Sequence, residues 1–330
     1  QNINKIINTA EVERIERVLS ADDMQGRKTF TPGIDKAADF IASEFEKNKL
    51  QFFGNAKNYF QDFTMFKVKP LQVTGLLDNA TLNTENVVVN STSAGQQISN
   101  LKDYEIVTIK KEDNFNKLAQ SYFQSSKNLI VLIDTSFSKA FKRLQWFTTR
   151  EKFEMPVTQV FILTVNTNPT SIQLEIKNEV TKQDLKNVVA VLPGKSKKDE
   201  YVVFGGHYDH LGIGRPDKNM DSIYNGANDD AAGTTAVMML ANYFKKIKNN
   251  ERTLIFVAFT AEEVGGFGSR FFSKQLPPEK VVAMFNIEMI GTESKWGKNS
   301  AYITGYEKSD FGTILQNNLN LLQNVSLRKQ

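Results

Sequence analysis

The chain's 330 residues suffice for one large domain or two smaller ones. Its 40% hydrophobic and 24% charged shares are those of a soluble globular protein, and no apolar run approaches the ~20 residues of a membrane span. The net charge of +4 comes from lysines scattered among acids, which excludes the basic block of a nucleic-acid binder, and the absence of cysteine excludes disulfides, thiolate metal sites and a cysteine nucleophile.

In chain order, Thr9 is placed to cap a helix carrying Val12, Ile15, Val18 and Leu19 on one stripe. Residues 21–33 read as a loop, and a second amphipathic helix follows with Ile34, Ala37, Ala38, Ile41 and Phe45 at helical spacing. Tyr59 to Phe66 is aromatic-rich and extended. From Lys67 to Thr181 the texture changes to short strands between polar turns, with helical stretches over 111–126 and around 139–149. From Asn187 strand and helix alternate. Strands are expected at 187–193, 201–206, 253–259, 281–288 and 301–305. A helix is expected from Ala231 or Gly233 with Ala236, Val237, Leu240, Tyr243, Phe244 and Ile247 buried. A short helix is expected at 269–275, and a last one through Leu315 and Leu319. This alternation predicts an α/β fold, a mostly parallel central sheet flanked by helices. The domain built from 1–66 and 182–330 is interrupted by an inserted mixed or β-rich lobe, 67–181; the alternative is a strand-rich continuation of one domain.

The chemistry-bearing residues cluster at strand ends, where open α/β sheets gather their functional groups. GGHYDH, 205–210, places His207 and Asp209 after one strand. FTAEEVGGFGS, 259–269, places Glu262 and Glu263 after another, and Glu288 ends a third. NGANDDAAG, 225–233, brings Asp229 and Asp230 to a helix start. One imidazole with several carboxylates is a ligand set that zinc accepts. Adjacent residues point in different directions, so one glutamate of the pair can bind metal while its neighbour serves as general base. Asp209 is expected to orient His207 by accepting from its other ring nitrogen. His210 lacks that logic and reads as structural or rim.

These motifs resemble the M28 family of zinc aminopeptidases. The resemblance is carried by HYD at 207–209, GANDDAAG at 226–233, FTAEEVGGFGS at 259–269 and NIEMIG at 286–291, and by MQGR at 24–27 and TPGIDKAADFIASEF at 31–45. It implies a zinc-exopeptidase fold whose inserted lobe is of the protease-associated kind. It implies two zinc ions, with His207 on one, Asp229 bridging, Glu263 on the other, and Glu288 where many members carry aspartate. Glu262 is then the general base for a metal-activated water, Asp209 supports His207, and the Asp229–Asp230 peptide is cis. The substrates are peptides cleaved at their N-termini, and the setting is exported, periplasmic or extracellular; the start at Gln1 rather than Met fits a processed form. The family's last zinc ligand is a downstream histidine, and no histidine follows His210, so the second metal position is expected to be incomplete. Two rivals stand beside this reading: a single-zinc glutaminyl cyclase-like acyltransferase, and a non-catalytic binding protein on the same fold.

Overall fold

The computed structural model describes residues 3–295, 297 and 300–318. The chain forms two compact units, one from residues 1–63 and 185–330, the other from 64–184. It leaves the first unit within strand Phe60–Leu77 and returns within strand Ile172–Leu192.

In the first unit the sheet runs in the order Val281–Asn286, Lys197–His207, Arg252–Phe259, then residues 188–192 of Ile172–Leu192. The first three strands are mutually parallel and the fourth is antiparallel. Strand Gln51–Phe52 pairs antiparallel with Val191 and Ala190. Side chains alternate across this sheet as strand geometry requires. Val188, Ala190, Phe204, Phe256 and Ala258 face helices Thr9–Leu19, Pro32–Lys47 and Ala232–Ile247, which contribute Leu19, Ile34, Ala37, Ala38, Ile41, Phe45, Val237, Met238 and Ala241. Val189, Val203, Ile255, Val257 and Phe259 face the other way and pack on Phe272 of helix Phe267–Ser273. Each fully buried aliphatic or aromatic side chain contributes about 1.5–3 kcal/mol, so the two layers fix the strands that carry the site.

Several local expectations are corrected. Asn8, not Thr9, caps the first helix, its Oδ1 accepting from Glu11 N at 3.0 Å. The loop after that helix contains a 3-10 turn, Asp22–Arg27. Helix Ala232–Ile247 buries Thr234, Thr235, Val237, Met238, Met239 and Ala241, whereas Ala236, Tyr243 and Ile247 are only partly covered. It packs against both N-terminal helices as well as the sheet, so its covered face is rotated from the stripe of largest side chains. Residues 301–305 form no strand. The last described helix is Phe311–Asn318, and Leu319 lies outside the described residues.

The second unit contains a four-stranded sheet in the order Val87–Asn90, Gln159–Leu163, Leu129–Ile133, Glu105–Ile109. The last three strands are parallel, joined through helices Phe115–Phe123 and Ser138–Thr148, as parallel pairing demands a crossover. The helices cover Val131, Ile133 and Phe161 on one face. Ile130, Leu132, Val160 and Ile162 pack on the other face against Val73, Leu82, Ile98 and Leu174. At the ends of this unit Thr64 Oγ1 donates to Asp184 Oδ1 at 2.7 Å. Within the first unit Asn187 Nδ2 donates to Gln61 Oε1 at 2.8 Å. No helix among the described residues is long and apolar enough to cross a membrane.

Candidate metal centre

Register brings the site together. His207 pairs with Phe259, and Gly205 pairs with Asn286 across parallel strands, so three strands end at one edge. The loop of Asp229 meets that edge through Asp230. The fully buried Asp230 carboxylate accepts from His207 N at 3.1 Å, Gly233 N at 3.0 Å and Met289 N at 3.1 Å. It thereby ties one strand end, the start of helix Ala232–Ile247 and the segment after Glu288 to one point. Burial pushes the Asp230 carboxyl up to about 7, against the opposing pull of His207 and the three N–H donors. Gly233 is required for this closeness, because a Cβ there would lie 2.0 Å from Ile287 O and 2.5 Å from both Asp230 oxygens. The Asp229–Asp230 peptide is cis.

His207, Asp229 and Glu288 place one donor atom each within 4.8 Å of one another. His207 Nε2 is 3.0 Å from Asp229 Oδ1, yet this buried nitrogen has no hydrogen-bond partner. Two polar atoms that approach so closely without a hydrogen bond converge on a shared point, which suits a cation. Burial opposes protonation of His207, but Asp209, then Asp230 and Glu262, outweigh it and raise the imidazole to about 9. Oxygen and imidazole nitrogen are donors that zinc takes, so the residues fit such an ion.

A second group consists of His210, Asp229 and Glu263, again within 4.8 Å of one another. His210 Nδ1 lies 2.9 Å from Glu263 Oε1. His210, expected as structural or rim, pairs with Glu263, and the group containing Asp229 and Glu263 has an imidazole beside it, which the sequence reading did not expect.

Asp209 also differs from expectation. His207 Nδ1 faces the Asp209 backbone carbonyl at 3.0 Å, with the carboxylate farther, at 3.7 Å. The carboxylate instead accepts from Glu262 N at 3.0 Å, Glu263 N at 3.2 Å and Thr29 Oγ1 at 3.2 Å. It therefore orients both the imidazole and the glutamate turn, the first through its main chain and the second through its side chain. Ala261, at φ 59°, bends the backbone so that these two successive N–H groups face one carboxylate. Glu262 itself is exposed; partial burial raises its carboxyl, helped by Asp209, Glu288 and Asp229 and opposed by His207.

Arg27 was visible in the sequence only as part of MQGR. It is fully buried, and its guanidinium donates to the carbonyls of Leu19, Tyr208, Asn225 and Gly226. The chain segments carrying His210 and Asp229 thus hang on one side chain. Burial lowers its pKa to about 10, opposed by Asp209 and Asp230, so it stays charged at neutral pH.

A buried mixed sheet under helices, with imidazole and carboxylates converging at its carboxyl edge, makes an α/β domain with a candidate metal site. Residues 187–327 match the profile of peptidase family M28. A probable zinc metalloprotease of Pyrenophora teres f. teres is 34% identical over 110 residues, 33% of this chain and 23% of that protein. Aminopeptidase YwaD of Bacillus subtilis is 28% identical over 124 residues, 36% of this chain and 24% of that protein. The chain thus matches about a quarter of the length of these relatives. The solved structure of a zinc aminopeptidase from Bacillus subtilis aligns with 97% of this chain and 79% of its own, at 16% identity and a TM-score of 0.49.

Proposed function

We propose that this chain is a metal-dependent exopeptidase that hydrolyses N-terminal peptide bonds, with His207, Asp229, Glu263 and Glu288 as metal ligands and Glu262 as general base. The observation that carries the reading is the pair of donor groups that share Asp229, with Glu262 directly beside a member of the second. A shared carboxylate between two nitrogen-and-oxygen groups favours a two-cation site over the single zinc of a cyclase-like acyltransferase. The exopeptidase direction and the peptide substrates come from the relatives, among them one named as an aminopeptidase.

Bound zinc supplies polarisation of the scissile carbonyl and a lowered pKa, towards ~7, for the attacking water. The chain's own residues do the rest. Glu262 takes the proton from the attacking water and delivers it to the departing amine; a carboxyl raised by its surroundings suits both halves of that exchange. Asp209 holds the Glu262–Glu263 turn and presents its main-chain carbonyl to His207 Nδ1, which leaves Nε2 as the free lone pair. Segment 67–181 is assigned no chemistry; it is read as an accessory lobe inserted into the catalytic domain. An exported setting belongs to the same reading on family resemblance alone, and is tested by fractionating the native host.

Turnover of aminoacyl-anilides by the purified chain, with metal content measured in parallel, tests the function. The expected result is release of the anilide, abolished by a chelator and by acetylation of the substrate's amino group. Cyclisation of N-terminal glutamine without anilide release would overturn it in favour of the acyltransferase. Bound metal with no turnover of any peptide would overturn it in favour of a binding protein.

A further inference from the structure

We propose that helix Ser138–Thr148 of the second unit carries a docking surface for an anionic lipid bilayer. The rings of Trp146 and Phe147 enter the headgroup layer, and Lys139, Lys142, Arg143 and Arg150 meet the lipid phosphates. The inference is independent of the metal centre and of the proposed hydrolysis.

Three observations carry it. The first is the division of the helix into two faces. Phe141, Leu144 and Thr148 are buried, and the first two join the core that contains Val131, Ile133 and Phe161. Lys139, Lys142 with Arg143, Trp146 and Arg150 follow at steps of three and four residues, the spacing that gathers side chains on one face, and all are exposed. Trp146 is 59% exposed and Phe147 49%, so the helix turns two large rings outward. The second is charge. No aspartate or glutamate occurs from residue 135 to residue 150, and among the described residues none of the four cations is held in an ion pair. The next acid, Glu151, is engaged by Lys67 Nζ at 3.1 Å. On the adjoining turn Glu85 follows Thr84, whose carbonyl accepts from Gln145 Nε2 at 2.8 Å, at the Gln145 side of the helix. The third is the anchoring of the rings. Arg150 Cζ lies 4.8 Å from the centroid of the Trp146 ring, and Trp146 meets Phe147 edge-on at 5.0 Å. Phe147 tilts against Phe123 at 6.3 Å, and Phe123 stacks at 4.4 Å on the fully buried Phe161. A chain of rings from core to tip holds the exposed pair in place, which reduces the ordering cost of docking.

Cations interleaved with tryptophan and phenylalanine compose the surfaces that rest on membranes. A bilayer offers phosphates to the cations and, just beneath them, a layer in which aromatic rings settle. A soluble acidic polypeptide would satisfy the cations and leave both rings in water.

Vesicles of phosphatidylcholine, pure or mixed with phosphatidylglycerol, test the surface. The full chain carries Trp296→Phe, which leaves Trp146 as its one tryptophan. Partition is measured by co-sedimentation, and insertion by quenching of Trp146 fluorescence with bromine-labelled acyl chains. The chain is expected to sediment with the mixed vesicles alone, with its fluorescence quenched, and to release as salt is raised. Lys142→Gln with Arg143→Gln should lower the partition coefficient by at least ~10-fold, and Trp146→Ala should lower it at unchanged charge. Lys195→Gln with Lys198→Gln, the same charge change at exposed positions of the first unit, should leave it unaltered. Circular dichroism of each variant confirms that the fold is retained, and the quenching of the unaltered helix stands whatever the variants do. Equal partition onto neutral and mixed vesicles, equal effects of the two double substitutions, or sedimentation without quenching would overturn the proposal. Capture of soluble polyglutamate with no sedimentation on vesicles would overturn it in favour of an acidic polypeptide. Catalysis enters none of these measurements, so their failure leaves the metallopeptidase reading where it stands.

Discussion

His207 Nε2 and Asp229 Oδ1 stand 3.0 Å apart without a hydrogen bond between them. Asp229 belongs to both donor groups, whereas Glu288 belongs only to the one containing His207. Asp229→Ala should therefore lower metal content after dialysis to near zero, while Glu288→Ala should reduce it by one ion. Equal losses in the two variants would show that Asp229 is not shared.

On the proposed function, Glu262 serves proton transfer and not ligation. Its neighbour Glu263 lies in a donor group and Glu262 does not. Glu262→Gln should retain fold and metal, and lose turnover by on the order of 10²–10⁴. Metal loss in this variant would place Glu262 among the ligands, and near-parental turnover would remove it from the chemistry.

Arg27 predicts a stability effect at a distance from solvent. Arg27→Met leaves four carbonyls without their donor and Asp209 and Asp230 without their nearest buried cation. A buried group left unsatisfied costs about 1–3 kcal/mol, so urea unfolding should show a loss of at least ~3 kcal/mol. Arg27→Lys should recover only part, because one ammonium cannot span the fork of carbonyls. A loss below ~1 kcal/mol would contradict this account.

In the second unit Lys152 gives a pH test. Its Nζ donates to Asn90 Oδ1 at 2.8 Å and Thr148 O at 2.9 Å, and burial pulls its pKa down to about 8. The folded value lies below the unfolded one, near 10.4. Between these pH values the unfolded chain binds the proton that the folded chain has released, so stability rises with pH. The contribution should climb from about pH 8, level off near 10.5, and amount to at most roughly 3 kcal/mol. Lys152→Met should lack this rise in urea unfolding followed from pH 7 to 10.5. Parallel pH profiles for parent and variant would refute it.

Much of the site was readable because its signals are local. A histidine after GG and an EE pair after an apolar strand each mark a strand end, which parallel pairing aligns, and an NDD run marks the helix start that meets them. Arg27 was not readable in that way. Its burial depends on carbonyls from residues 19, 208, 225 and 226, which converge only after folding. The position of His210 beside Glu263 was not readable, because strand alternation ends at His207. Beyond that point its direction is set by the bridge to Lys28 and by the space at Gly226. The Asp209 carboxylate was assigned to the imidazole by sequence proximity, yet it serves two backbone N–H groups more than fifty positions away. Residues 301–305 have strand-forming side chains, but such propensity acts through packing on neighbours, and there it forms no ladder.

The pairs Thr64–Asp184 and Gln61–Asn187 give the fold a modular grammar. Each pair joins the outgoing and returning chain across a gap no wider than a hydrogen bond, one on either side of the boundary between the units. Residues 64–184 are consequently a closed parenthesis in the sentence of the chain. The first and last residues of that unit stand side by side, so a tag or a cut placed at either one lies next to the other.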